Sequence, residues 1–79
     1  MHYVYIIESK RNRSRFYIGV CDDVANCLRE HNLKECKATA RHVPWRVKTA
    51  IYFKDPLKAT AFERYLKTGS GRAFAKRHF

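Results

Sequence analysis

The chain has 79 residues and a formal net charge of +10 at pH 7. This length allows one domain, spanning residues 1–79, and excludes a second. The hydrophobic share of 46% excludes a disordered basic tail, because such tails are too polar to collapse. No apolar run approaches the roughly 18–20 residues that a membrane span needs, and the N-terminal segment lacks the pattern of a secretory signal. We therefore expect a cytoplasmic protein without a membrane partner.

The positive charge is concentrated in the second half of the chain. Residues 1–40 carry seven basic and five acidic residues, whereas residues 41–79 carry ten basic and two acidic ones. A half-chain with a net charge of +8 favours binding to the phosphates of nucleic acid. A solvated face without a role, an acidic protein and a membrane surface are the alternatives. The expected phosphate contacts are Lys37, Arg41, Arg46, Arg72, Lys76 and Arg77.

Three cysteines are present, at Cys21, Cys27 and Cys36, and no pair shows the tight spacing of a zinc knuckle. The simplest interpretation is reduced thiols in a cytoplasmic protein. An alternative hypothesis is a zinc site, in which Cys27 and His31, one helical turn apart, bind the ion together with Cys21 or Cys36. A structural zinc site needs a full tetrahedral set of ligands, and the remaining spacing is irregular.

Two strands are predicted near the N-terminus. Residues 2–9 and 15–21 are rich in β-branched and aromatic side chains, which pack well in sheets. The short polar segment between them predicts an antiparallel hairpin. Gly19 interrupts the second strand, and a glycine at such a position often lets another backbone or a ligand approach closely.

A helix and a third strand follow. The first helix is predicted to begin at Asp22 and Asp23, whose side chains can accept the free amide hydrogens of a first turn. It ends within residues 32–34, a basic loop continues to residue 44, and the alternating residues 45–53 predict a strand. One face of the helix holds Val24, Cys27, Leu28 and His31.

Two further helices complete the chain. Asp55 and Pro56 predict the start of the second helix, with aspartate as the cap and proline at the first helical position. Residues 69–71 end it, and Ser70 is expected to cap a last short helix over residues 71–77. The order β-β-α-β-α-α predicts an α+β fold with a small antiparallel sheet. The apolar face of the second helix is expected to hold Leu57, Ala61, Phe62, Tyr65 and Leu66.

Few acidic residues are available to a phosphodiester-cleaving site, which needs a nucleophilic water, a proton acceptor and a cation near the phosphate. Glu63 is the acid that lies mid-helix among apolar neighbours, in the most basic half of the chain. It is therefore the candidate metal ligand. An ion pair with Lys67, four residues on, is the alternative interpretation.

Two tyrosines and a histidine are the other candidates for chemistry. If the first two strands pair, Tyr5 and Tyr17 project to one face, and phenols near a positive cluster are expected to have lowered pKa values and to accept protons or position water. Simple strand packing is the alternative. His31 is a candidate proton donor or phosphate contact, or a histidine stabilised at a helix end.

Five short blocks resemble one family. Val4-Tyr5 and Tyr17-Ile18-Gly19 resemble the paired tripeptides of the GIY-YIG nuclease family. The segment Asp23 to Asn32 resembles its first helix, and Pro44-Trp45 resembles the loop before its third strand. Residues 61–71 resemble the C-terminal block of small stand-alone bacterial members of the URI type. The resemblance covers essentially the whole chain.

This resemblance implies a three-stranded antiparallel sheet flanked by helices, and hydrolysis of DNA that depends on one divalent ion, Mg²⁺ or Mn²⁺, without a small-molecule cofactor. It also implies roles for single residues. Tyr5 and Tyr17 match the motif tyrosines that position or deprotonate water. His31 matches the histidine that assists at the phosphate, and Glu63 matches the glutamate that holds the metal.

One position departs from the family pattern. The family's first helix carries an arginine four residues before the histidine, where this chain has Cys27. Arg29 should point away, because two residues along a helix turn about 200° around its axis. A neutral thiol cannot replace a cation aimed at phosphate, a loss that would reduce the rate about 10²–10³-fold. The chain is then an impaired enzyme, a substituted sequence, a nucleic-acid-binding module without catalysis, or a basic protein-interaction domain.

Overall fold

A β-hairpin opens the fold. The computed structural model describes residues 2–79, in which β1 (His2–Ser9) pairs antiparallel with β2 (Phe16–Cys21). The buried hydroxyl of Ser9 accepts hydrogen bonds from backbone amides in the connection and donates one, at 2.6 Å, to the carbonyl of His42. This contact fastens the hairpin to the loop that precedes the third strand.

The sheet has three antiparallel strands in the order β2-β1-β3. The third strand, β3 (Trp45–Phe53), pairs with the free side of β1, so β1 is the central and most buried strand. Successive side chains of β1 point to opposite faces of the sheet. The helices on the two faces of the sheet therefore pack against different residues of β1.

One face of the sheet packs against α1 (Val24–Asn32), and Tyr5, Ile7 and Trp45 form its buried core. The Asp23 side chain caps this helix by accepting a hydrogen bond from the backbone of Asn26 at 3.1 Å. The apolar side of α1 contacts that core through Val24, Cys27 and Leu28, as predicted.

The other face packs against α2 (Pro56–Leu66) and α3 (Gly69–His78), with Val4, Ile6, Ala59 and Leu66 buried between them. This arrangement confirms the α+β prediction with the order β-β-α-β-α-α. In the described part of the chain, every helix is too short or too polar to cross a lipid bilayer.

Two details of the C-terminal helices were predicted wrongly. The cap of α3 is Thr68, not Ser70, and its hydroxyl accepts a hydrogen bond from the amide of Gly71 at 3.1 Å. A Cβ at Gly71 would overlap the backbone of Tyr65, so this glycine allows α3 to begin directly against the last turn of α2. The helix begins at Gly69, two residues before the predicted start.

The predicted apolar face of α2 is confirmed at Phe62 and Leu66 and is wrong at Leu57, Ala61 and Tyr65. Ala59, Phe62 and Leu66 pack against the sheet, whereas Leu57 is 78% exposed and Tyr65 is half-exposed. The exposed residues Leu57, Ala61 and Tyr65 and the covered residues Ala59, Phe62 and Leu66 both recur with a helical period. Periodicity alone therefore cannot predict which of these two stripes is buried. Glu63 lies next to the buried stripe and is therefore partly covered.

Candidate active site

The sheet register brings Tyr5 over Gly19. These residues are direct partners across β1 and β2, and a Cβ at position 19 would lie 2.7 Å from the Tyr5 hydroxyl oxygen. The glycine therefore makes room for a tyrosine ring of the same sheet, which is the close approach that a glycine in a strand permits. As a result, the Tyr5 ring lies against the backbone of β2 and its hydroxyl reaches α1.

The Tyr5 hydroxyl forms a hydrogen bond with His31. The Tyr5 oxygen lies 2.9 Å from Nε2 of His31, and both residues are buried. On its other side, Nδ1 of His31 lies 2.8 Å from the hydroxyl of Thr39, which is fully buried. Both ring nitrogens of His31 thus have partners inside the protein.

Tyr17 completes an aromatic cluster. Its ring centroid lies 4.8 Å from that of His31 and 6.4 Å from that of Tyr5, so the two tyrosines share one face as predicted. Cys36, Glu63 and Lys67 lie close enough to Tyr17 to affect its pKa. Tyr17 is therefore the link between the Tyr5–His31 pair and helix α2.

The protonation of this cluster differs from the sequence prediction. Burial raises the pKa of Tyr5 and of Tyr17, whereas lowered values were expected. Lys67 alone acts to lower the pKa of Tyr17, and its effect is smaller than that of burial. Burial also lowers the pKa of His31. The expected positive cluster does not reach the phenols closely enough to outweigh desolvation, so at neutral pH both phenols are protonated and His31 is neutral.

A cleft of about 290 Å³ opens beside the Tyr5–His31 pair. Cys27 lines it, whereas Arg29 is exposed and donates a hydrogen bond to Asn26, so the two side chains point in different directions as predicted. Two carboxylates that the sequence did not single out, Glu30 and Glu35, also line the cleft. The position that the resemblance assigns to an arginine therefore faces negative charge in this chain.

The zinc hypothesis has no support in the described residues. Within residues 2–79, no three histidine, cysteine, aspartate or glutamate side chains are grouped so that they could hold an ion. Burial and the contact with Cys27 raise the pKa of the Cys21 thiol to about 12, which opposes the thiolate that zinc requires. His31 already uses both ring nitrogens.

Glu63 is paired with Lys67, the alternative that the spacing allowed. The Lys67 ammonium lies 3.1 Å from Glu63 Oε2, and the two side chains are 53% and 20% exposed, respectively. Glu63 is close enough to Tyr17 to affect its pKa. Mg²⁺ is commonly bound by one or two carboxylates together with water and substrate phosphate. A single carboxylate beside the tyrosines fits such a site, and the Lys67 ammonium would compete with the ion.

A larger groove, of about 960 Å³, runs from Tyr17 across the hairpin to α3. Its lining includes the exposed ring of Phe16, and the Lys48 ammonium lies 4.7 Å above the centre of that ring. No acidic residue of the described chain lines it. We call this the basic groove; its cationic residues are Arg15, Lys48, Lys67, Arg72 and Lys76.

The basic groove includes only part of the predicted phosphate contacts. Arg72 and Lys76 line it, whereas Lys37, Arg41 and Arg77 are exposed elsewhere. Arg46 is engaged by the carboxylate of Glu8, with Nε at 2.8 Å, which weakens its case as a phosphate contact.

Three basic groove residues, Arg15, Lys48 and Lys67, were missed because they lie in three separate parts of the chain. Lys48 lies at an irregularity in the β1–β3 pairing, where Thr49 is opposite Ile6 and Val47 is opposite Ile7, so simple alternation along β3 gives no signal for it.

Comparison with known proteins identifies the family of this chain. A model of the GIY-YIG catalytic domain matches residues 1–77. Comparisons with curated proteins and with solved structures gave no match. The family implies nuclease-type hydrolysis of phosphodiester bonds in a nucleic acid, and its members generally use a divalent metal. Because the match covers nearly the whole chain, this protein belongs to the GIY-YIG catalytic domain family.

Proposed function

We propose that this protein is a divalent-metal-dependent DNA endonuclease of the small stand-alone URI type, with a rate reduced by Cys27. The observation that carries the proposal is the Tyr5–His31 hydrogen bond, which joins a phenol to a neutral imidazole at the side of a cleft. A neutral imidazole nitrogen is a suitable final acceptor for a proton taken from water.

The proton path follows from the raised pKa of Tyr5. A free phenolate is disfavoured in this buried position, so Tyr5 does not act as a preformed base. Instead, its oxygen takes a proton from the attacking water while its own proton passes to His31 Nε2; the water oxygen bonds to phosphorus as the bond from phosphorus to the leaving oxygen breaks. The two transfers are concerted, because either one alone would leave an unfavourable charge on the buried phenol.

Tyr17 and Glu63 act on the other side of the cluster. Tyr17 is protonated and can donate a hydrogen bond to water or to a phosphate oxygen. Glu63 would hold Mg²⁺ or Mn²⁺, displacing Lys67 from its carboxylate. When bound, the ion stabilises the negative charge that develops on the phosphate. The displaced ammonium then remains beside Tyr17 and the basic groove as a further cation.

The basic groove supports a nucleic-acid substrate. Its five cationic side chains come from the connection before β2, from β3, from the turn between α2 and α3 and from α3, without an acidic side chain in the described lining. Such a groove neutralises successive phosphates, and an exposed aromatic ring such as Phe16 provides a surface for a base. Because the groove reaches Tyr17, a strand lying in it passes the candidate catalytic cluster.

A nucleic-acid-binding module without catalysis is the second candidate. It is favoured by the presence of Cys27 beside Glu30 and Glu35, because the described lining of the cleft then includes no lysine or arginine to face the phosphate. In this case the basic groove keeps its role and the Tyr5–His31 pair serves the fold alone.

Incubation of labelled single- and double-stranded DNA with Mg²⁺ or Mn²⁺ distinguishes the two functions. We expect metal-dependent cleavage by the wild-type chain and its loss in Tyr5→Phe, which keeps the ring over Gly19 but removes the hydroxyl. Tyr52→Phe, which changes an exposed phenol on β3, is the matched control. DNA binding without cleavage by a folded wild-type chain would instead establish the binding module.

A further inference from the structure

We infer that Thr39 is a positioning residue that selects the tautomer of His31 and so sets the direction of the Tyr5–His31 hydrogen bond. The inference concerns the proton path described above and rests on the proposed function for its catalytic meaning. Thr39 lies in the loop between α1 and β3 and is completely buried. Its hydroxyl oxygen is 2.8 Å from His31 Nδ1.

The surrounding backbone holds Thr39 in place. Its amide donates to the carbonyl of Cys36 at 3.2 Å, and its own carbonyl accepts a hydrogen bond from the indole nitrogen of Trp45 at 2.8 Å. Trp45 is in turn fixed by Asn32, whose side chain bonds both its amide and its carbonyl. The hydroxyl of Thr39 therefore occupies a position set by α1 and β3 together.

The Cys36 carbonyl decides which way the hydrogen bonds run. The Thr39 hydroxyl lies 3.3 Å from this carbonyl oxygen, which can only accept. If Thr39 donates its proton there, its oxygen must accept from His31, so Nδ1 carries the hydrogen. Nε2 is then unprotonated and accepts the proton of Tyr5. The reverse assignment would turn two oxygen lone pairs, on Thr39 and on Cys36, towards each other.

Removal of the hydroxyl should reverse the bond to Tyr5. In Thr39→Val, a hydrogen on Nδ1 would be buried without an acceptor, which is unfavourable. The ring avoids this cost by moving its hydrogen to Nε2 and donating it to the Tyr5 oxygen. His31 can then no longer accept a proton from Tyr5, although both rings stay in place.

Nitrogen NMR of histidine-labelled protein at neutral pH tests this inference directly. The His31 signals are assigned by their loss in His31→Gln. We expect the Nδ1–H tautomer in the wild type, the Nε2–H tautomer in Thr39→Val and a return to Nδ1–H in Thr39→Ser. Thr60→Val, which removes an exposed threonine hydroxyl on α2, is the control and should leave the His31 signals unchanged.

An Nε2–H tautomer in the wild type, or an unchanged tautomer in a folded Thr39→Val variant, would overturn the inference. The wild-type spectrum keeps the test decisive even if Thr39→Val does not fold. Under the proposed function, DNA cleavage at saturating substrate should fall at least about tenfold in Thr39→Val, a small part of the effect typical of general acid–base groups, and recover in Thr39→Ser. Absence of cleavage in the wild type would count against the nuclease alone, since the tautomer is read without activity.

Discussion

The ring of Tyr5 lies against the backbone of Gly19, so close that a Cβ at residue 19 would stand 2.7 Å from the tyrosine hydroxyl oxygen. The two residues therefore depend on each other: Tyr5 can reach His31 because Gly19 has no side chain. Gly19 is buried, and the ring above it is held by a hydrogen bond at its far end. The Tyr5 ring therefore has little freedom to move away from a larger side chain at position 19.

Gly19→Ala should consequently destabilise the protein and displace Tyr5. Insertion of a methyl group into a packed site typically costs about 1–3 kcal/mol. We expect a lower midpoint in chemical unfolding and loss of DNA cleavage. Gly69→Ala is the control, because nothing lies within 4 Å of a Cβ at that position. Equal stability of Gly19→Ala and the wild type would show that the Tyr5 ring can shift freely.

Glu63→Gln should abolish metal-dependent cleavage and leave the fold nearly unchanged. The Glu63–Lys67 pair is partly exposed, and such pairs contribute at most about 1 kcal/mol to stability. Titration with Mn²⁺ should show loss of the bound ion, while DNA affinity without metal stays the same or rises slightly. Asp22→Asn changes an exposed acid away from the cluster and serves as control. Unchanged Mn²⁺ binding by Glu63→Gln would show that another group holds the ion.

Cys27→Arg should raise the cleavage rate by at least about tenfold, because it returns a cation to a position that lines the cleft. Glu30 and Glu35 will attract part of that charge, so the increase should be larger when both are changed to glutamine. Arg29→Ala should alter the rate little, since Arg29 is exposed. Rates are compared at saturating DNA, so that the chemical step is measured.

If Cys27→Arg and the wild type cleave at equal rates, another cation must already act on the phosphate. Lys67 is the candidate, since it lies near Tyr17 and lines the basic groove. Lys67→Gln would then lose cleavage. Mn²⁺ binding should survive in that variant, because the Glu63 carboxylate remains and loses its competitor.

The free energy of unfolding should fall as the pH drops below about 6.5. Burial lowers the pKa of folded His31 relative to its unfolded value of 6.5, so the unfolded chain binds a proton at a higher pH than the folded chain does. Above that pH both states are neutral and the effect vanishes. Urea unfolding at pH 5 and pH 7 measures it, and His31→Gln should show a smaller difference between the two. An equal difference in both proteins would assign the acid sensitivity to other groups.

Binding to DNA should depend steeply on salt, and the basic groove should carry that dependence. Neutralisation of each phosphate contributes about 0.7–0.9 to the slope of log affinity against log salt. Lys48→Gln and Lys76→Gln should each reduce the slope by about that amount. Lys58→Gln, an equal charge change on the exposed side of α2, should not. Equal slopes for all three variants would indicate a diffuse surface charge instead of a groove.

Local sequence patterns alone determined the bounds of two strands, two helix caps and the directions of two side chains on α1. Residues 2–9 and 45–53 form strands at the predicted bounds, since their β-branched and aromatic side chains fit a pleated, partly buried surface. Asp23 and Asp55 cap their helices as predicted, because capping depends on the first turn alone. The separation of Cys27 from Arg29 follows from helical geometry in the same way.

Other properties were decided only when separate elements met. Two apolar stripes of α2 have the same period, and contact with the sheet buried the one that contains Ala59 and Leu66. The phenols of Tyr5 and Tyr17 have raised pKa values because desolvation depends on what surrounds them, which net charge does not report. Thr39 reaches His31 from a loop whose path is held by Trp45. Hydrogen bonds and desolvation act over a few ångströms, so they depend on distances that residues far apart in sequence acquire only in the folded chain.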